Sequence, residues 1–221
     1  MMHVSQIVLI AVSAALLAFA GGGHAAETAP GDDLKAAVAF VFQAFPGQCD
    51  ERDDSDASGL IEDDQAYEMR WKSSYDDSGE EQKATLYRIF CYAGAYNIAS
   101  VFAMRPADGD LALVSFAEPT FKVDYVEGDE TYTKLKADPA ATGFGTTYLL
   151  VNADFTPENN TISSYSKWRG IGDAWTQGEW RLRDGQFVLT GFSIDPIYEG
   201  NLDNPSDEEI DKHFQLYPET K

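Results

Sequence analysis

Histidine is nearly missing from this chain, with 3 in 221 residues, and cysteine is scarcer still, with 2. His3 and His24 fall among the first 26 residues, which leaves only His213 in the rest of the sequence. One histidine excludes a multi-histidine zinc site, and a catalytic triad would have to be built on His213 alone. Residues 1–26 contain no Lys, Arg, Asp or Glu. Their apolar stretch, residues 7–20, is shorter than the roughly 20 residues that a membrane-spanning helix needs. Positive charge is in short supply throughout, with 16 Lys and Arg against 37 Asp and Glu and a formal net charge of −21. A field of that sign repels phosphate backbones and anionic headgroups, so nucleic acid is not an expected partner.

What is present at the start reads as an export signal. The apolar stretch is followed by Gly21, Gly22 and Gly23, then Ala25 and Ala26, with polarity resuming at Glu27. This pattern predicts a secretory signal peptide over residues 1–26, cleaved near Ala25 or Ala26. A periplasmic or secreted protein with no membrane span after cleavage is therefore expected. An even cysteine count in an exported chain predicts a Cys49–Cys91 disulfide, worth about 4 kcal/mol in the chain-entropy model.

The remaining sequence divides into residues 27–64 (a helix and an acidic loop), 65–200 (a β domain) and 201–221 (a C-terminal helix or tail). The helix is predicted over Asp32–Phe45, where Leu34, Val38, Val41 and Phe45 share one face. Short strand-like runs then follow in series, separated by turn sequences such as "RPADGD", "VEGDE", "ADPAATGFG" and "TPENN". No strand–helix alternation is evident. The fold class expected is mainly β, a single antiparallel β sandwich or open barrel with short N- and C-terminal helices. Ser206 and Glu209 make a capping-box pattern for the second helix.

Near the end of the β region, "KWRGIGDAWTQGEWRLRDGQFVL" concentrates three tryptophans and several cations. Asp184-Gly185 is a two-residue hairpin turn that would set Leu182 opposite Phe187 and Trp180 opposite Leu189 on one apolar face. Gly170, Gly172 and Asp173 read as a tight turn. A dinucleotide loop would need a third glycine where Trp175 stands, and a helix after it. Trp168, Arg169 and Trp175 remain as candidates for an exposed binding platform, for example for sugar or peptidoglycan strands.

Three segments together, "CYAGAYN" (residues 91–97), "KWRGIGD" (167–173) and "EWRLRDGQFVL" (179–189), resemble the bacterial family called domain of unknown function 1176. The family pattern runs from C-x-x-G-A-Y-N through K-G-R-G-x-G-D-C-G and W-x-W-D-G-x-x-F-x-L to C-R-G. The resemblance covers about residues 86–200 and implies export and a broad architecture but no reaction. It also implies that two family cysteines are replaced here, by Ala174 and by Tyr198, so the Cys49–Cys91 pairing is not inherited from the family pattern.

The acidic segment "DSDASGLIEDDQ" contains a calcium-loop pattern, with Asp54, Asp56 and Ser58 at positions 1, 3 and 5, Gly59 at 6, the Leu60 carbonyl at 7 and Glu62 at 9. Position 12 is Gln65, which offers one neutral oxygen where a bidentate Glu is usual. The expectation is no cofactor and a plain solvated acidic loop, with calcium as the alternative that this pattern supports. The functional expectation is a non-enzymatic exported protein that binds an envelope ligand or partner. Two rivals are a carboxylate-based hydrolase of cell-wall or extracellular glycans, whose acid pair cannot be chosen among 37 acidic residues, and a calcium-dependent binding module. The calcium reading predicts a Tm that rises in calcium and not in magnesium at matched ionic strength, with the rise abolished by Asp54→Ala. Equal melting in calcium, magnesium and chelator would refute it.

Overall fold

In a computed structural model of the chain, residues 30–50, 52, 63–210 and 212–218 are described. Residues 1–26 and the calcium-pattern residues Asp54, Asp56, Ser58, Leu60 and Glu62 lie outside them. The fold begins with helix α1 (Pro30–Ala44), followed by β1 (Gln65–Lys72), β2 (Glu81–Ala93), β3 (Ile98–Pro106) and β4 (Ala112–Leu113). Next come β5 (Phe116–Lys122), β6 (Ala140–Thr147), β7 (Leu149–Val151), β8 (Asp154–Thr156) and β9 (Thr161–Lys167). The chain ends with β10 (Trp175–Arg183), β11 (Gln186–Asp195), a single 3-10 turn (Glu199–Asn201), α2 (Asp207–Ile210) and β12 (Phe214–Tyr217).

All strand pairs are antiparallel, and they form two five-stranded sheets and a separate hairpin. The first sheet is ordered β1-β2-β3-β4 with β7 also paired to β3, the second is β12-β11-β10-β9-β8, and β5-β6 stands alone. The sheets do not close into a barrel. They stack as a sandwich whose core takes Met69, Leu86 and Phe102 from the first sheet and Ile162, Trp180, Leu189 and Ile194 from the second. Alternation along β2 and β3 sends Tyr87, Ile89, Val101 and Ala103 to the opposite face of the first sheet. There they meet Ala37 and Val41 of α1, so the first sheet is buried on both faces. Among the described residues, no helix covers the second sheet in this way.

Helix α1 is fastened at both ends. Asp33, in its first turn, accepts a hydrogen bond of 2.7 Å from Arg105 at the end of β3. Just past its last turn, Cys49 is joined to Cys91 of β2 by a disulfide between two fully buried residues. Beyond this bridge, Arg52 makes a bidentate pair with Asp64, both contacts at 2.8 Å, and also donates to the Phe90 carbonyl. Asp64 in turn accepts from the Phe90 amide at 2.9 Å. One of the few cations thereby clamps the two ends of the acidic segment onto β2.

Trp180 occupies the centre of the sandwich. Its indole is fully buried, packs edge-on against Phe116, and donates to the Ala117 carbonyl at 2.8 Å. The ring folds back over Gly178, where a Cβ would stand 2.2 Å from the indole. In the same hairpin, Leu182 pairs with Phe187 and Trp180 with Leu189, and all four side chains are buried. Asp184 and Gly185 make the turn, both at positive φ, as the tight primed turn requires.

Two parts of the sequence reading are corrected. "ADPAATGFG", read as a turn, is largely strand β6: its glycines lie against β5, where Gly143 leaves room for Thr120, and pairing outweighs the weak strand preference of Ala and Gly. After α2, a single helical turn, the chain adds β12 to the second sheet, with Leu216 in the core. Gly178→Ala should cost about 1–3 kcal/mol through overpacking against Trp180, measured as a lower midpoint in chemical denaturation. An unchanged midpoint would show that the indole can shift freely.

Candidate functional site

Because α1 covers the first sheet only, the outer face of the second sheet is open among the described residues. Strand alternation lays rows of side chains across it. One row runs from Tyr165 through Gln177 and Ser193 to Gln215, and the next pairs Lys167, Trp175 and Asp195 across three strands. A bulge between Glu179 and Trp180 leaves Thr190 unpaired, and its hydroxyl bonds the Glu179 carboxylate at 2.8 Å. The outcome is a groove of about 520 Å³ lined by Gln177, Glu179, Thr190, Gly191, Ser193 and Gln215. Gly191 forms part of its floor, where an added Cβ would meet nothing closer than 3.9 Å. Ser193 donates to Gln215 at 3.0 Å, which holds that amide in place. The lining is therefore amide, hydroxyl and carboxylate, rich in both donors and acceptors.

At one end of this face two carboxyl groups are buried together. Asp195, the last residue of β11, is 3% exposed, and Glu199, in the 3-10 turn that folds back over it, is 7% exposed. Their side chains hydrogen-bond to each other. Asp195 also accepts the Ile197 amide at 3.0 Å. Burial pushes both carboxyls up, Glu199 from 4.5 to about 8, and the neighbouring Asp195 charge adds to the effect. Buried carboxyls in contact cannot both ionise cheaply, so the pair retains a proton near neutral pH. Glu199 thereby stays an acid where an exposed glutamate would be charged.

The segment that carries Glu199 is tied down on three sides. From the β9–β10 turn, Arg169 donates to Asp173 and to Asn201 and lies over the Tyr198 ring at 4.6 Å. Asp173 also accepts the Gly200 amide at 2.9 Å. Burial raises the Asp173 carboxyl, but the bonds from Arg169 and Gly200 outweigh it and hold it below the usual carboxylate value. Gly200 permits this approach, since a Cβ there would stand 2.7 Å from Ile171. From the loop after β5, the Tyr125 hydroxyl donates to the Pro196 carbonyl at 2.6 Å, and the Tyr132 carbonyl accepts the Tyr198 amide at 3.1 Å.

The aromatic candidates are separated. Trp168 stacks on Phe121 at the margin of the sandwich core, whereas Trp175 sits between Tyr165 and His213 on the open face. Both are half-buried, and Arg169 is committed to Asp173, Asn201 and Tyr198. In the glycine turn only Gly172 has positive φ, while Gly170 lies against Tyr96. Gln65, the last position of the calcium pattern, begins β1 and its side-chain oxygen accepts from the Tyr67 hydroxyl. No group of three or more His, Cys, Asp or Glu arranged to hold a metal occurs among the described residues. Sequence reasoning passed over the groove and the Asp195–Glu199 pair. The sole hint was polar alternation in β10, β11 and "FQLY", which marks an exposed face without saying what it faces.

A family model described as "Protein of unknown function (DUF1176)" matches residues 79–204, more than half of the chain. The chain belongs to that family. No curated protein and no solved structure matches it. The DUF1176 span holds Asn97, Arg169, Asp173, Asp195 and Glu199, while α1, β1 and β12 lie outside it. The disulfide thus joins Cys91 within the DUF1176 span to Cys49 outside it. The positions where the resemblance implied lost cysteines, Ala174 and Tyr198, fall in two segments that the Asp173–Gly200 and Arg169–Tyr198 contacts hold together.

The raised Glu199 value sets the sign of a pH effect. Its folded value lies above 4.5, so its contribution to stability is complete below about pH 4.5 and is lost as pH rises through about 8. Glu199→Gln, which mimics the protonated acid, should flatten this loss. The stability gap between variant and wild type should widen by at most about 1.4 kcal/mol per pH unit over that window. Parallel stability–pH profiles for the two proteins would contradict the assignment.

Proposed function

We propose that this protein is an exported, non-enzymatic binding protein of the cell envelope or extracellular space, and that its ligand is a neutral, polyhydroxylated chain such as a glycan strand. The observation that carries the reading is the groove on the outer face of the second sheet, with amides, hydroxyls and a carboxylate spaced along three strands and Trp175 in the neighbouring row of that face. Amide and hydroxyl groups can serve each sugar hydroxyl as donor or acceptor, and an aromatic ring offers its face to sugar C–H groups. A net charge of −21 disfavours anionic ligands on the same surface. Export is supported by the N-terminal sequence pattern and by the disulfide, a bond that persists in oxidising compartments.

A hydrolytic reading needs carboxyls that touch the substrate. The desolvated pair, Asp195 and Glu199, is over nine-tenths buried, and this favours binding over catalysis. Titration calorimetry with soluble N-acetylglucosamine oligomers and with glucose oligomers tests the proposal. Gly191→Leu, which fills the groove floor at a position free of backbone strain, should weaken binding at least tenfold, about 1.4 kcal/mol, with Tm unchanged. Absence of heat with every oligomer, or binding that Gly191→Leu leaves intact, would sink the reading.

A further inference from the structure

We propose that Asp195 and Glu199 form a proton-operated latch, which holds the 196–201 segment closed over the Trp175 end of the open face while the pair keeps its proton and releases it when the proton is lost. The geometry supplies both parts. The fixed part is Asp195, at the end of β11 and paired across strands with Trp175. The movable part is the short segment bearing Glu199, held by the Ile197 amide to Asp195, the Pro196 carbonyl to Tyr125, the Tyr198 amide to Tyr132, the Gly200 amide to Asp173, and the Asn201 side chain to Arg169 and the Thr131 carbonyl. Between them lie two carboxyls, each over nine-tenths buried, with the Glu199 Oε1 lacking any protein partner.

Two cations act on the pair, His213 on Asp195 and Arg169 on Glu199, and burial still raises both carboxyls. From the β9–β10 turn, Asp173 adds negative charge, and the Arg169 guanidinium is already bound to it. His213, ahead of β12, acts on Asp195, and Tyr165 of β9 faces both carboxyls as a neutral phenol. From the other side come the rings of Tyr198, Tyr132 and Tyr125, the last with its hydroxyl raised by burial to about 12, and hydrogen bonds from Thr131 and the neighbouring amides hold Asp129 down to about 2. When the last proton leaves, two carboxylates face each other in a site where burial disfavours their charge. The nearest relief is for Glu199 to swing to water, at the loss of the few bonds that hold its segment.

The direction follows from linkage. Glu199 titrates near 4.5 when solvated and near 8 when closed, so the opening equilibrium should rise about tenfold per pH unit between about pH 5 and 7.5 and level off above 8. The latch does not depend on the ligand reading; only its effect on the groove does.

The test is amide hydrogen exchange on the full chain, corrected for intrinsic rates, with the Tyr198 and Gly200 amides as reporters and Phe102 and Ile162 as core controls. The expected result is that the reporters exchange through an opening at least tenfold more populated than the one that exposes the controls, and that reporter protection falls at least tenfold from pH 6 to pH 8.5 in the wild type but not in Glu199→Gln or Asp195→Asn. Reporter protection that is flat with pH, falls equally in Glu199→Gln, or never drops below that of the controls would overturn the latch. Calorimetry with the oligomer probes at both pH values is read separately. Absent binding at both speaks against the ligand and leaves the exchange result standing.

Discussion

Everything on the open face depends on how the two sheets are held in register at one corner, and a pair of asparagines does this. The Asn97 side chain donates to the Lys167 carbonyl at 2.8 Å and accepts the Lys167 amide at 3.2 Å, as a neighbouring strand would. Asn152, with a left-handed backbone, donates both to Asn97 and to the Tyr165 carbonyl and accepts the Ile98 amide. These amides fasten β9 of the second sheet to β3 and β7 of the first. A side chain of another length at position 97 could not meet donor and acceptor on one residue at once. The "AGAYN" segment is therefore understood as a joint, with the Tyr96 hydroxyl bonding the Trp168 carbonyl beside it.

From that joint follows the asymmetry of the molecule. One sheet is buried on both faces, by the sandwich core and by α1, with Cys49–Cys91 and Arg52–Asp64 sealing the far end of the helix layer. The other sheet is buried on one face only, so its polar outer rows can take on a role that the core does not need. The bulge at Thr190 and the absence of a side chain at Gly191 turn part of that flat face into a groove. The same β9–β10 hairpin places Trp168 against the core and Trp175 on the open face, so two tryptophans close in sequence serve different surfaces.

Charge shows the same economy of cations. Of the 16 basic residues, Arg52, Arg88, Arg105 and Arg169 are spent on internal joints: the acidic-loop clamp, the Ala153 carbonyl, the start of α1 and the Asp173 bridge. At Asp195 and Glu199, where burial outweighs the neighbouring charges, a retained proton keeps the pair from ionising fully. This is the physical basis for treating that pair as the pH-responsive part of an otherwise rigid sandwich.

The sequence by itself determined the local elements whose cause is local: an amphipathic first helix, a series of antiparallel strands, and the Asp184-Gly185 hairpin with its exact cross-strand partners. Turn chemistry and side-chain period set these within a few residues. Only the tertiary structure decided the rest. Glycines in β6 became a strand because β5 was there to pair with, and "FQLY" became β12 because β11 had a free edge. Likewise Asp195 and Glu199 read as two more acids among 37, and only folding took water from both at once. Burial depends on what comes to lie above a residue, which no stretch of neighbouring sequence records.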